Sequence, residues 1–373
     1  MTRPSPRRRA RLTALSLCAL LALGGCAETT PRTPAEVRAQ LERLIPRSVP
    51  DRAGWAADIQ AAFSALDLDP SNENLCAVLA VTEQESTYVA NPPVPGLGRI
   101  ALKEIETRAA RYKVPAFAVR GALRLKSPNG EPWADRIAAA GTEKELNDLF
   151  EEMIAQVPMG GRLLARANPV RTGGPMQVSI AFAESHAKAR PYPYAVDGSI
   201  RREVFTRRGG MYFGIAHLLD YPASYDKPLF RFADFNAGRY ASRNAAFQNA
   251  VAVATGIALD LDGDPVRWRR GKPDKAPSAT ETALYAMADD LGMTREQIRR
   301  ELRDSHLHRF ERSALYAGVF ATADRRNGKP LPRATLPRIR LHSPKITRKL
   351  TTEWFATRVN RRWRKCMARA GKG

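Results

Sequence analysis

The chain has 373 residues, 44% of them apolar and 26% charged, with four cysteines. That is enough apolar material to bury a sizeable core, which excludes a wholly disordered chain and a disulfide-stapled miniprotein. Lys and Arg number 60 against 38 Asp and Glu, a net charge of +22, so the surface favours anionic partners: nucleic acid, lipopolysaccharide, anionic lipid or a polyanionic wall polymer.

Arg3, Arg7, Arg8, Arg9 and Arg11 precede any acid, Leu12 to Leu23 is almost wholly apolar, and Leu23-Gly24-Gly25-Cys26 follows at once. This pattern reads as a secretory leader over residues 1–25, outside the fold. Roughly twelve apolar residues rise only about 18 Å as a helix, against the ~30 Å of a bilayer core. The run resembles a bacterial lipobox, which implies that Cys26 is lipidated and begins the mature chain; the alternative is an ordinary secreted protein cut near Gly25. Ala27 in place of Asp implies, within that resemblance, outer-membrane sorting, with the membrane face left open. Export removes nucleic acid as a partner, and none of the usual nucleic-acid motifs appears.

Residues 26–34 read as a polar, proline-rich tether. An amphipathic helix follows from about Ala35 to Leu44, with Val37, Leu41 and Leu44 on one face. A second helix fits Trp55 to Leu66, and a third runs from about Asn72 through an apolar stretch to Glu85. Capping boxes at Thr142-x-x-Glu145, Ser278-x-x-Glu281 and Thr294-x-x-Gln297 signal further helix starts. Loops rich in Pro and Gly are expected at 92–98, 157–175, 190–194 and 328–344. Strand-like alternation is scarce, so the expected fold class is mainly α.

With Cys18 in the leader and Cys26 acylated, Cys76 and Cys366 remain in the body. They either pair as a disulfide, which an oxidising compartment allows, or stand as one buried and one unrelated thiol. Residues 333–373 form a basic C-terminal extension with thirteen Lys/Arg against the single acid Glu353, and they include Trp354, Phe355 and Trp363. Two placements are open for this segment: on anionic lipid, lipopolysaccharide or wall polymer, or docked on the core with its arginines solvated.

Three short motifs stand in order: Glu83-Gln84-Glu85-Ser86-Thr87-Tyr88, Gly173-Gly174-Pro175-Met176-Gln177-Val178-Ser179, and Phe232-Ala233-Asp234-Phe235-Asn236-Ala237-Gly238. Together they resemble the signature of the soluble lytic transglycosylases: a helix-terminal Glu-Ser, then Gly-x-Met-Gln, then aromatic-Asn-Ala-Gly along a lysozyme-like helical domain. The resemblance implies that Glu85 is the acid/base and that Ser86 supports its orientation. It places Met176 and Gln177 in the floor of a sugar groove, and Phe235, Asn236 and Gly238 in a helix entry opposite the acid. Cleaving a glycosidic bond needs a carboxylic acid still protonated near neutral pH, which an apolar wall provides by disfavouring the charged form. In such enzymes the C6 hydroxyl of the substrate attacks, so one carboxyl serves first as acid and then as base, and no second catalytic carboxylate is required.

Two departures stand out. Phe235 replaces the usual tyrosine and loses its hydroxyl, and ninety-one residues separate Glu85 from Gln177, so an inserted helical subdomain at about 92–172 is expected within a lysozyme-like body at 35–332. Over its whole length the chain also resembles an uncharacterised family of proteobacterial outer-membrane lipoproteins that includes YaiW. The carriers are the lipobox, Leu75 to Ser86, Gly174 to Val178 and Phe230 to Tyr240.

Asp260-Leu261-Asp262-Gly263-Asp264 departs from a calcium-binding helix-loop-helix: its glycine falls at the fourth position, and Gly271 stands where a bidentate glutamate belongs. An acidic turn is the plainer reading. His186, His217, His306, His308 and His342 show no metal spacing, and Ser86, Ser179 and Ser242 lack a nucleophile-elbow context. No metal and no cofactor is expected. The expected function is an outer-membrane lipoprotein that binds peptidoglycan glycan strands and cleaves them. The alternative is a non-catalytic envelope lipoprotein that holds a glycan or peptide or assists uptake at the cell surface.

Overall fold

The computed structural model describes residues 32–156, 168–269, 272–341 and 350–371. The expected leader, Cys26 and tether residues 27–31 lie outside the described residues, as do His342 and most of the 157–175 loop. The mainly α class is observed. Helices α1 (Pro34–Leu44), α2 (Arg52–Leu66) and α3 (Asn72–Glu85) fall where the periodicity places them. The α1 face buries Val37, Leu41 and Leu44, and Thr33 closes a capping box with Glu36. Asp51 and Ser71 cap α2 and α3 by accepting from Gly54 N–H and Asn74 N–H.

The segment expected as an insertion holds α4 (Leu97–Arg111), α5 (Ala116–Leu123), α6 (Trp133–Ala139) and α7 (Glu143–Ala155). The Thr142–Glu145 capping box starts α7. A two-residue hairpin, β1 (Thr172–Gly173) with β2 (Val178–Ser179), pairs antiparallel with Gly173 opposite Val178 and leads into α8 (Ile180–Ala189), α9 (Ile200–Val204) and α10 (Arg207–Leu219). Then come α11 (Pro228–Ala237), α12 (Ala241–Thr255), the hairpin β3 (Trp268–Arg269) with β4 (Lys272–Pro273), α13 (Ala279–Tyr285), α14 (Ala288–Leu291), α15 (Arg295–Leu302) and, after two 3-10 turns, α16 (Ala314–Asn327). The hairpin β5 (Arg340–Leu341) with β6 (Leu350–Thr351) precedes the terminal helix α17 (Thr352–Ala370). The boxes at Ser278 and Thr294 open α13 and α15.

Among the described residues, buried apolar side chains form two clusters. The first joins α1–α11 and α17; the second joins α12, α13, α15 and α16. In the first, α17 packs along α3 and α11, and α10 packs on α2. The basic extension is thus docked: Phe355, Ala356 and Val359 are buried, and Trp354 and Trp363 lean on the same core. Cys76 and Cys366 are joined, with Cα atoms 5.5 Å apart and 290 residues between them in sequence, so the last helix is tied to the third. Among the described residues, no helix is long and apolar enough to cross a membrane.

The corner between the clusters is built by Asp234. Tyr240 opens α12 in a left-handed conformation with no side-chain cap of its own. Asp234 supplies that cap instead, accepting from Tyr240 N–H (2.9 Å), Ser242 N–H (2.7 Å) and the Tyr225 hydroxyl (2.5 Å). The Asn236-Ala237-Gly238 string, expected as a helix entry, is instead the exit of α11, because Gly238 takes φ +112°, where the chain leaves the helix and where a side chain would be strained.

Candidate functional site

Glu85 is the last residue of α3, following the buried run Leu75–Thr82. Its side chain keeps part of its surface open, yet the carboxyl lies deep enough that burial, and next the negative charge of Glu143, push its pKa up to about 8. Glu143 is buried at the first position of α7, so this helix supplies a second carboxylate that the motifs alone do not reveal. The signal lay in the Thr142 capping box, which favours acids in the first helical turn.

The chain turns sharply after Glu85. Ser86 ends α3, and both its N–H and its hydroxyl reach the Thr82 carbonyl at 3.1 Å, so the hydroxyl closes the helix. Thr87 and Tyr88 then both adopt left-handed backbone, φ 52° and 61°. Consecutive non-glycine residues in that region are sterically costly and persist only where surrounding contacts impose them. Tyr88 supplies those contacts: it is buried, donates its hydroxyl to the Leu79 carbonyl at 3.2 Å and meets Trp55 edge-on at 5.6 Å. Glu83, two residues before Glu85, faces the other way and lies 3.3 Å from Arg362 Nε of α17.

The second motif joins this turn through Phe205. Asn91 donates to the Phe205 carbonyl at 3.0 Å, and the Phe205 ring covers Gly173 so closely that no Cβ would fit there. Met176 is fully buried against Gly214 of α10. Gln177 stands in left-handed backbone at φ 50°; its amide donates to the Gly174 carbonyl at 3.3 Å and accepts from the Thr172 hydroxyl at 3.4 Å. Its side chain therefore stiffens the hairpin.

The third motif meets the far end of α10. Phe235 packs against the His217 ring at 5.1 Å, and His217 Nε2 lies 3.3 Å from the Phe235 carbonyl. Burial, helped by the charge of Arg239, holds the His217 pKa down at about 4, leaving the ring neutral near pH 7. Asn236 Oδ1 accepts from the Thr352 hydroxyl of α17 at 3.2 Å. The last turns of α3, just before the first motif, and the second and third motifs are thus strung along one helix. Thr82 touches Met211 at 3.8 Å, Gly214 seats Met176, and His217 seats Phe235. Met211 and His217 are six residues apart, roughly 9 Å of helix.

Residues 48–369 match a family described as "Protein of unknown function (DUF1615)". The chain belongs to this family. A DUF1615-type relative from Escherichia coli (strain K12), called "Uncharacterized protein YaiW", is 51% identical over 362 residues, covering 95% of this chain and 98% of the relative. No solved structure matches the chain.

In this DUF1615 chain the described cavities lie away from Glu85. One of about 630 Å³ is lined by Asp260, Asp262, Asp264 and Trp268 near the start of α13, and one of about 380 Å³ lies between Glu83 and α17. Around the first, the Asp260–Asp264 segment is a turn in which Asp262 Oδ1 accepts from Gln248 Nε2 at 2.7 Å and from Asp264 N–H at 3.0 Å. Among the described residues no group of three potential metal ligands occurs.

Proposed function

We propose that this chain is an outer-membrane lipoprotein, anchored through Cys26, whose helical body binds peptidoglycan glycan strands and cleaves the N-acetylmuramic acid–N-acetylglucosamine bond without water. Glu85 carries the proton, and the three motifs take a lysozyme-like arrangement about α10. The observation that carries the reading is the Glu85 carboxyl, which keeps its proton up to about pH 8 through burial and the neighbouring Glu143 charge. Glu85 protonates the glycosidic oxygen as the C1–O bond breaks. The C6 hydroxyl of the muramic residue then adds to C1, and its proton returns to the Glu85 carboxylate, giving a 1,6-anhydro end with no net change in the enzyme. The left-handed turn at Thr87–Tyr88 supports the reading by fixing where α3 ends and hence where the carboxyl sits.

A second reading, a non-catalytic glycan or peptide binder, is favoured by one observation: the Gln177 and Asn236 side chains are already engaged within the protein. Purified sacculi incubated with wild type and with Glu85→Gln separate the two. Release of 1,6-anhydro-muropeptides by wild type, lost at least a hundredfold in Glu85→Gln, is the expected result. Equal sacculus binding by both proteins with no release by either eliminates the enzyme and leaves the binder.

A further inference from the structure

The cavity between α3 and α17 has an unusual lining. Five cations, Arg358, Arg361, Arg362, Lys365 and Arg369, surround about 380 Å³ together with the α1–α2 loop at Pro46, and Glu83 is the one acid among the lining residues. On α17 these positions recur at helical spacing, so the charges form one stripe about 16 Å long. That stripe adjoins the face that buries Phe355, Ala356, Val359 and Cys366. The apolar face and the Cys76–Cys366 bond hold the helix in place, so the charges cannot relax by the helix moving away.

The cations are only partly answered. Arg362 Nε is buried and makes no hydrogen bond; it faces Glu83 at 3.3 Å without hydrogen-bond alignment. Arg369 donates to the Leu44 carbonyl at 3.1 Å, which fixes one end of the stripe, and Arg358 lies over the Trp354 ring at 5.0 Å. Among the described residues Arg361 and Lys365 make no hydrogen bond or ion pair. Like charges three and four residues apart on a helix repel, and a concave wall of one sign focuses a field that draws counter-ions in. Guanidinium forks fit phosphate oxygens two at a time, which a single-atom anion does not reward.

We propose that this cavity binds a phosphorylated group, a phosphomonoester or diphosphate carried either free or on a lipid headgroup. The site is independent of the glycan chemistry proposed for Glu85. Glu83 sets its affinity, because that carboxylate competes with the ligand for Arg362.

The test titrates the full chain in neutral detergent with pyrophosphate, with dihexanoyl phosphatidic acid and with dihexanoyl phosphatidylcholine, following the fluorescence of Trp354 and Trp363 beside the stripe. Pyrophosphate and phosphatidic acid saturate, and the zwitterionic lipid produces no saturable change. Arg361→Gln/Lys365→Gln weakens both phosphate ligands at least tenfold, whereas Arg300→Gln/Arg326→Gln, which removes two exposed charges elsewhere, leaves them unchanged. Glu83→Gln tightens both severalfold, a gain that no folding defect would produce. Tighter binding of phosphatidic acid than of pyrophosphate assigns the lipid as the source; the reverse assigns a free phosphate. Equal weakening by the two double variants reduces the effect to net charge and overturns the site, as does the absence of saturable binding by either phosphate ligand.

Discussion

The two apolar clusters treat their buried polar groups differently. Around the second cluster these groups close on one another. Arg243, fully buried, donates to the Ser305 and Leu307 carbonyls, lies 3.5 Å from Glu311 and stacks over Tyr240. Gln248 binds both Asp262 and the Gly263 N–H. Glu281 takes its capping box, the Tyr285 hydroxyl and Arg299. Around the first cluster, among the described residues, the buried Gln84 Oε1, Asn91 Oδ1, His217 Nδ1 and Arg362 Nε make no hydrogen bond, and Thr87, Tyr88 and Gln177 stand in left-handed backbone, as does Tyr240 at the second cluster, whose N–H donates to Asp234. Native folds rarely leave buried polar atoms unpaired or hold non-glycine residues at positive φ without a return elsewhere. The contrast marks the second cluster as the closed scaffold, and both proposed sites lie around α3, α10 and α17, where pairing is less complete.

The largest expected effect comes from cutting the link that holds the first cluster in this state. Cys76→Ser/Cys366→Ser opens a crosslink spanning 290 residues, which in a chain-entropy treatment removes about 6 kcal/mol. Urea unfolding measures it, and reduction of wild type gives the same loss. Next, Arg243→Met in the second cluster strips a buried cation from two carbonyls and Glu311, at a cost of roughly 3 kcal/mol. Because Arg243 belongs to the scaffold, anhydro-muropeptide release at temperatures where the variant stays folded remains at the wild-type level; a hundredfold loss there would abolish the distinction between the clusters.

Glu85→Gln has the opposite sign. The Glu85 pKa is raised by folding from an ordinary 4.5 to about 8, so its contribution is fully present below about pH 4.5 and is lost as pH rises through 8. Gln carries no such dependence. The variant should match wild type near pH 4 and exceed it by roughly 5 kcal/mol at pH 9, while losing activity. Denaturation at the two pH values checks this, and a difference that does not grow with pH would place the carboxyl in open water.

Much of both clusters was legible because their signals are local. The spacing of Val37, Leu41 and Leu44, the apolar run ending at Glu85, and each of the three capping boxes mark helices by periodicity and by hydrogen bonds within four residues. What sequence spacing did not carry is contact across the fold. The Glu143 charge acts on Glu85 because the start of α7 is pinned to the chain that follows α3, where Val94 N–H donates to the Gly141 carbonyl at 2.8 Å. Cys76 and Cys366 left pairing open until α17 was placed beside α3. The Asn-Ala-Gly string reads alike as helix entry or exit; Asp234, accepting from residues six and eight positions onward, decided for exit.

The smallest effect tests the carboxylate pair itself. Glu143→Gln keeps the side-chain shape at the start of α7 and removes the second-ranked cause of the raised Glu85 pKa. Burial, the larger cause, stays, so the Glu85 pKa falls but remains above its ordinary 4.5. Since cleavage requires the protonated acid, the alkaline limb of the activity profile moves to lower pH, by less than about one pH unit. Well below that limb Glu85 is protonated in both proteins and their rates agree. The pH-dependent part of stability shrinks in step, by about 1.4 kcal/mol for every tenfold rise in the acid's ionisation constant. A pH profile of anhydro-muropeptide release that is lowered uniformly, with its alkaline limb unmoved, would assign Glu143 to holding α7 in place and leave burial alone to keep the proton on Glu85.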